Sequence, residues 1–208
     1  MSIETYIIYL GTVLLFFAHP PGPSQLLFIG GAVQHGLKKA TPIMAGDLTA
    51  NAIQIMIAGF GLASIIALSA NAFSVIKWAG VAYLIWMGVR MIRDATRPAD
   101  AKPVPSGQAL FRRGFMTSAA NPYAVVFFAA LFPQFIDPAA PVAAQVAILG
   151  LTYLIIDGAI LLAMGTFASR LVTALGHKFE RWLSILSGLG LIAAAIAIAT
   201  RGETEPAK

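Results

Sequence analysis

The chain has 208 residues, of which 58% are hydrophobic and only 11% charged, and its mean hydropathy is +0.79. Soluble domains carry about 25% charged residues, so this composition excludes a soluble fold of the same length and predicts an integral membrane protein. The net charge of +5 does not indicate nucleic-acid binding, because the basic residues lie between apolar runs and form no single patch. The absence of cysteine excludes disulfides, thiolate metal sites and a cysteine nucleophile.

Six apolar runs follow one another along the chain, at roughly 5–33, 42–69, 72–92, 113–135, 142–169 and 182–200. A membrane-spanning helix needs about 20 apolar residues, whereas strands rarely exceed about 10, so each run is predicted to be a transmembrane helix. The first run has no basic residue before it and no cleavage site after it, which favours a retained helix over a signal peptide. The predicted fold class is an all-α membrane protein of six transmembrane helices, forming a single transmembrane domain over residues 1–208.

The first run contains the proline-rich sequence His19-Pro20-Pro21-Gly22-Pro23-Ser24. Each proline removes a backbone donor and costs about 3 kcal/mol inside a regular helix, so three of them predict a broken first helix. Unpaired backbone is tolerated at membrane depth only where it is buried in protein or lines a watery cavity. Ser24 is expected to cap the helix that follows, whose N-terminus would attract a substrate carboxylate. A bent packing helix is the alternative reading.

Two acidic residues, Asp47 and Asp157, fall inside the second and fifth runs. The second run is predicted to start at Thr41-Pro42, a capping hydroxyl followed by a proline, and its Asp47, Asn51 and Gln54 share one helix face. A charge inside the membrane is costly, and no lysine or arginine lies at mid-membrane to neutralise these acids. Both carboxyls are therefore expected to face the interior and to bind a proton or a cation. A structural carboxyl near a helix end is the alternative for each.

A hydrophilic connector with three prolines, Asp94 to Arg112, divides the chain and is predicted to be irregular. It separates a first repeat (about 1–93) from a second repeat (about 113–208). Three spans in each half would place the halves in opposite orientations, which is the inverted-repeat plan of many secondary transporters. In this plan Asn121-Pro122 is the counterpart of the broken segment, either as a simple kink or as a ligand contact.

The basic residues predict the orientation of the chain. With six spans, 11 of the 14 lysines and arginines lie around the first, third and fifth connections, and only Lys77, Arg201 and Lys208 fall on the other side. Positive loops stay in the cytoplasm. The chain is therefore predicted to be a multi-pass protein of the cytoplasmic (inner) membrane with both termini on the extracytoplasmic side.

Several stretches match a known family, most specifically Lys77 to Gly88 (KWAGVAYLIWMG) and Phe132 to Pro138 (FPQFIDP). The other matching residues are Pro21-Gly22-Pro23 with Leu26-Leu27, Gly31, His35-Gly36-Leu37-Lys38-Lys39-Ala40, Gly46-Asp47, Phe111-Arg112-Arg113-Gly114-Phe115, and Asn121-Pro122 running to Phe127-Phe128. Over almost its whole length the chain resembles the lysine exporter and homoserine/threonine resistance family (LysE/RhtB). Family members often have Asn or Asp after Pro-Gly-Pro, where this chain has Ser24-Gln25, so the family's familiar substrates are not assumed.

The resemblance implies an exporter of amino acids or their small derivatives, driven by a proton or sodium gradient. The sequence has no Walker motif, which agrees with a transporter that does not use ATP. The leading hypothesis is alternating access around a site between the two halves, in a protein surrounded by membrane lipid. A homo-oligomer is left open, and no cofactor, metal site or catalytic residue is predicted.

The substrate is expected to bind between the broken first helix and Asp47. Ser24 and the freed amides would hold its carboxylate, Asp47 would meet its ammonium group or carry a proton, and the amides of Gln25, Asn51 and Asn121 are candidate contacts. The candidate substrate-binding or coupling residues are His19, Pro21, Gly22, Pro23, Ser24, Gln25, Asp47, Asn51, Asn121, Pro122 and Asp157.

Two other functions are weighed. An inorganic-cation exporter would need several carboxylates or histidines together, and only Asp47, Asp157 and His19 are available. A membrane-embedded enzyme would need a converging acid–base set, and a receptor would normally bring an exposed domain. The sequence shows neither feature, so the chain is not predicted to be an enzyme.

Overall fold

The computed structural model describes residues 1–17, 21–60, 70–96, 105–137 and 139–200. Within these residues every regular element is a helix, which confirms the predicted all-α class. The helices are α1 (Ile3–Phe16), α2 (Pro23–His35), α3 (Leu37–Gly59), α4 (Ala70–Thr96), α5 (Gly107–Ala119), α6 (Pro122–Phe135), α7 (Val142–Leu175) and α8 (His177–Thr200).

The first predicted helix is divided in two, as its prolines indicate. Helix α1 ends at Phe16 and α2 begins at Pro23, where a proline is tolerated because the first N–H of a helix has no intrahelical partner. The fourth predicted helix is divided in the same way, since α5 ends at Ala119 and α6 begins at Pro122. His19 and Pro20 lie outside the described residues.

The predicted helix start at Thr41-Pro42 is wrong. Helix α3 begins at Leu37, directly after Gly36, and Pro42 lies inside it. A proline at this position removes the N–H that would bond the carbonyl of Lys38, but the Thr41 hydroxyl donates to that oxygen at 2.8 Å. The hydroxyl therefore repairs the helix instead of starting it.

The connector predicted from Asp94 to Arg112 is too long at both ends. Helix α4 continues to Thr96, and α5 begins at Gly107 after Ser106, whose hydroxyl accepts a hydrogen bond from the N–H of Ala109 at 3.2 Å. The first turns of α5 are polar, so the apolar run on which the prediction rests begins only after them. For the same reason α7 and α8 extend beyond the predicted ends at 169 and 182, and only Gly176 separates them.

The two predicted halves interleave through two close helix crossings. A Cβ atom added to Gly46 of α3 would lie 2.1 Å from a backbone oxygen of α5, and one added to Gly114 of α5 would lie 1.9 Å from a backbone oxygen of α3. Gly88 of α4 and Gly188 of α8 meet in the same way, with corresponding distances of 2.6 and 2.8 Å. Small residues let helix backbones approach closely in membranes, so these glycines fix which helices are neighbours.

The outer surface of the long helices is apolar. By length and hydropathy, Val142–Leu175 and Lys178–Thr200 could each cross a membrane, yet only 39% and 33% of their most apolar segments are buried. A core helix of a soluble protein would be mostly buried. Ile155 and Phe167 of α7, each about 70% exposed, would therefore face lipid.

Candidate functional site: an acidic cavity among the broken helices

A cavity of about 490 Å³ lies where both helix breaks meet α3, α7 and the C-terminal part of α8. Eight of the predicted site residues line it, namely Gly22, Pro23, Ser24, Gln25, Asp47, Asn51, Asn121 and Asp157. Pro21 is not among its lining residues, Pro122 is the first residue of α6, and His19 lies outside the described residues. The fold thus brings together positions that are up to 135 residues apart in sequence.

The N-terminus of α2 forms one wall of the cavity. The predicted cap at Ser24 is wrong, because Gly22 is the N-cap and Ser24 lies inside the first turn. Gly22 offers no side chain, so within the described residues no side-chain hydrogen bond caps the N–H groups of the first turn. The Gln25 side-chain oxygen instead reaches back and accepts a hydrogen bond from the Gly22 N–H. The Gln25 side-chain oxygen is therefore already hydrogen bonded within this turn. The N-terminus of α2, which carries a partial positive charge, borders the cavity.

Asn51 joins three other buried polar side chains of the cavity lining. Its Nδ2 donates to Asp157 Oδ2 at 2.8 Å and to Asp47 Oδ2 at 3.3 Å. Its Oδ1 accepts from the Ser118 hydroxyl at 2.7 Å. All four side chains are at most 5% exposed and come from α3, α5 and α7. One amide thus ties the middle helices of the two predicted halves to each other.

The two carboxyl groups face each other without a basic partner. Asp47 and Asp157 lie within hydrogen-bonding reach of one another, and no lysine or arginine is among the residues described as lining the cavity. Ser24 also approaches the Asp47 carboxyl, but Asp47 Oδ1 forms no hydrogen bond of ordinary geometry within the described part of the chain. Buried charges are stable only when paired, so this pair requires a proton or a cation between its oxygens.

Aromatic rings form the apolar side of the cavity. Phe16 is the last residue of α1 and Phe17 is its C-cap, and the Phe17 ring centre lies 5.4 Å from that of Tyr153 on α7. The Phe16 ring stacks on Phe127 of α6 at 3.8 Å. A ligand in the cavity would therefore meet polar groups on one side and aromatic rings on the other.

Sequence reasoning missed Ser118 and Tyr153 as residues of the cavity lining. Tyr153 precedes Asp157 by four residues and so shares its helix face, which is a usable signal. Ser118 precedes Asn121 by three residues at the end of α5, but a serine at the end of a helix does not by itself indicate a binding site. Gln54, which shares the predicted polar face of Asp47, is not among the lining residues, and its Nε2 donates to the backbone oxygen of Ser118 at 3.2 Å.

A helical bundle with an apolar exterior and a buried acidic cavity has the architecture of a membrane translocator. The chain belongs to the LysE type translocator family, whose model matches residues 15–202. The resemblance found in the sequence is thereby confirmed. Membership of this family means that the chain is a membrane protein and belongs to a family of transporters.

Three relatives illustrate the range of the family. The chain is 36% identical to the homoserine/homoserine lactone efflux protein of Salmonella typhimurium, covering 82% of this chain and 84% of the relative. It is 30% identical to the leucine efflux protein of Klebsiella pneumoniae, covering 96% of both chains. An uncharacterized membrane protein of Vibrio cholerae is 33% identical, with 82% of this chain and 84% of that one covered. No solved structure matches the chain.

Proposed function

We propose that this protein is a secondary active exporter of amino acids or small amino-acid derivatives across the cytoplasmic membrane. The names of the relatives, which include homoserine and leucine efflux proteins, support this class of substrate. The observation that carries the proposal is the cavity itself, whose lining combines the N-terminus of α2 with a pair of acidic side chains.

These two walls match the two charges of an amino acid. The substrate carboxylate binds at the N-terminus of α2, where first-turn N–H groups border the cavity. The Ser24 hydroxyl lies against the Asp47 carboxyl, so it borders the sites of both substrate charges. The ammonium group binds between Asp47 and Asp157, where three N–H donors satisfy oxygens that otherwise repel one another. A volume of about 490 Å³ falls in the lower half of the usual range for ligand pockets, about 300–1,000 Å³. This volume favours a small solute.

The acidic pair also provides a coupling site for a proton or a sodium ion. When the substrate leaves, two carboxyls remain in a buried place, and no lysine or arginine of the described lining neighbours them. A proton or a small cation has to take the place of the ammonium group, because an unpaired buried charge is strongly unfavourable. Exchange of substrate for such an ion is the basis of secondary transport in this proposal.

The two broken helices support alternating access by two inverted halves. Each break lies in the helix that opens a half, and both breaks contribute to one cavity. Transporters of this plan bind their substrate at such interrupted helices. Movement of one half against the other would open the cavity first to one side of the membrane and then to the other.

Replacement of Asp47 by Asn tests the proposal. The amide keeps the shape of the side chain but removes the negative charge, so we expect export from amino-acid-loaded proteoliposomes to fall to background. Glu4→Gln is the matched control, because Glu4 is an exposed acid in the first turn of α1 and should export normally. Undiminished export by a well-expressed Asp47→Asn variant at every pH would remove Asp47 from the mechanism.

An inorganic-cation exporter is the second candidate, favoured only by the acidic pair. A divalent ion prefers several oxygen ligands, and no group of three or more His, Asp or Glu side chains occurs in the described residues. The melting temperature of the purified wild-type protein, measured with each kind of ligand, distinguishes the two proposed functions. Thermal stabilisation by free amino acids supports the leading proposal, whereas stabilisation by divalent cations alone supports the second.

A further inference from the structure

A second cavity of about 450 Å³ lies at the end of the bundle where the C-terminus of α2, the last turns of α4 and the beginning of α5 meet. It shares no lining residue with the acidic cavity. Its polar lining includes Gln34, Arg90, Arg93, Asp94 and Arg113. None of these residues lines the proposed transport site.

The electrostatics of this second cavity favour an anion. Among the described lining residues there are three arginines and a single carboxylate, and that carboxylate is 3.9 Å from Arg90. Neither Arg93 nor Arg113 forms an ion pair within the described residues. Asp94 is close enough to act electrostatically on Arg113 as well, but one carboxylate cannot neutralise three arginines. The planar donors of Arg93 and Arg113 match the oxygens of a carboxylate or phosphate.

An unused donor points to the same kind of ligand. The Nε2 atom of Gln34 is buried and has no hydrogen-bond partner in the described part of the chain. A buried donor left without a partner destabilises the protein. A ligand oxygen between Gln34 and the arginines would satisfy it.

The outer wall of the cavity faces the surrounding lipid. Trp86 and Val89 line it and are both 52% exposed, and the Arg90 guanidinium lies 5.4 Å from the centre of the Trp86 ring. Tryptophan collects at the level of the lipid headgroups. The cavity also lies on the predicted cytoplasmic side, with most of the basic residues. A phosphate held by Arg93 and Arg113 would leave its glycerol and acyl chains against Trp86 and Val89.

We propose that this cavity binds the phosphate group of an anionic phospholipid from the cytoplasmic leaflet. A headgroup with a net negative charge is favoured over a zwitterionic one, because the described lining has more positive than negative side chains. The lipid would bridge α4 and α5, the two helices that flank the connector between the predicted halves. This inference rests on the membrane location of the family and is independent of which solute is exported.

Lipid titration of the full-length purified protein in a neutral detergent tests the site. We expect phosphatidylglycerol to raise the melting temperature in a saturable way, and phosphatidylcholine or inorganic phosphate at the same concentration to have little effect. Arg93→Gln should weaken the apparent affinity for phosphatidylglycerol about fivefold, since one basic residue near a membrane surface contributes about 1 kcal/mol. Arg93→Gln with Arg113→Gln should weaken it further, and Arg93→Lys should keep most of the response.

Lys39→Gln is the matched control, because Lys39 is an exposed basic residue on the same predicted side that does not line the cavity. Arg93 is itself exposed, so its single variant should fold even if the double variant does not. An equal response to phosphatidylglycerol and phosphatidylcholine would overturn the proposal. So would an equal loss of affinity in Lys39→Gln and Arg93→Gln. Full stabilisation by inorganic phosphate alone would assign the cavity to a free anion and overturn the lipid as its occupant.

Discussion

Asn51 is the side chain on which the acidic cavity most depends. An asparagine has both donors and an acceptor, and here its two ends bind unlike partners, since the nitrogen donates to two carboxyls and the oxygen accepts from Ser118. An aspartate in its place would add a third acceptor, and a leucine would remove every bond. The amide therefore allows two acids to lie close together in a buried site.

Substitution of Asn51 should cost both stability and transport. Asn51→Leu loses three hydrogen bonds, each of which contributes about 0.6–1.7 kcal/mol inside a membrane, so we expect the melting temperature to fall and export to stop. Ser118→Ala loses one of these bonds and leaves the two bonds from Asn51 to the carboxyls in place. The decrease in its melting temperature should therefore be about a third as large. Melting curves and export assays on both variants check this. Equal stability of Asn51→Leu and wild type would show that the network contributes nothing to the fold.

The buried acids could be predicted from sequence, but their partners could not. Asp47 and Asp157 attract notice because a charge within an apolar run must turn inwards. Gln54 belongs to the same predicted stripe as Asp47, yet it bonds the backbone of α5. The difference depends on how α3 is rotated against its neighbours, and helical periodicity alone does not contain that information.

At the scale of helices, the glycine crossings determine the arrangement. Gly46 and Gly114 bring α3 and α5 into backbone contact, and Gly88 and Gly188 do the same for α4 and α8. Each contact joins a helix of the first predicted half to one of the second. These partners could not be predicted, because a glycine in an apolar run looks the same whether it meets a backbone, a side chain or lipid. The centres of the helices were predictable, but their polar ends were not.

Gly114→Ala should disrupt the protein although it adds only one methyl group. The new Cβ would lie 1.9 Å from a backbone oxygen of α3, which cannot move without separating the two helices. We expect most of the variant to aggregate, as measured by size-exclusion chromatography of a fluorescent fusion. Gly158→Ala is the control, because its Cβ would meet only a Leu48 methyl group at 3.4 Å. A monodisperse Gly114→Ala protein would contradict the close crossing of α3 and α5.

For the whole molecule, charge and hydropathy predict the membrane environment and the orientation, whereas they do not predict the partners of single residues or of helices. The low proportion of charged residues requires a lipid-covered surface, and the exposed apolar faces of α7 and α8 agree with it. The distribution of lysine and arginine predicts which end of the bundle faces the cytoplasm. The second cavity, with its arginines, lies at that end.

The cysteine-free chain makes this orientation directly measurable. Ala139→Cys lies between α6 and α7 and Gln108→Cys lies in the first turn of α5, and both positions are exposed. We expect a membrane-impermeant maleimide to label Ala139→Cys in intact cells. Gln108→Cys should be labelled only after the cells are permeabilised. The reverse pattern would invert the proposed orientation, and labelling of both in intact cells would contradict the six-span topology.

Two one-residue joints, Gly36 and Gly176, connect α2 to α3 and α7 to α8. Both have positive φ angles, 82° and 80°, and a Cβ at either would meet nothing within 4 Å. Space is therefore available, but the torsion angles suit only glycine. Every missense change in either codon would strain the hairpin whatever the size of the new side chain, so mutational tolerance at these two surface positions should be as low as in a packed interior.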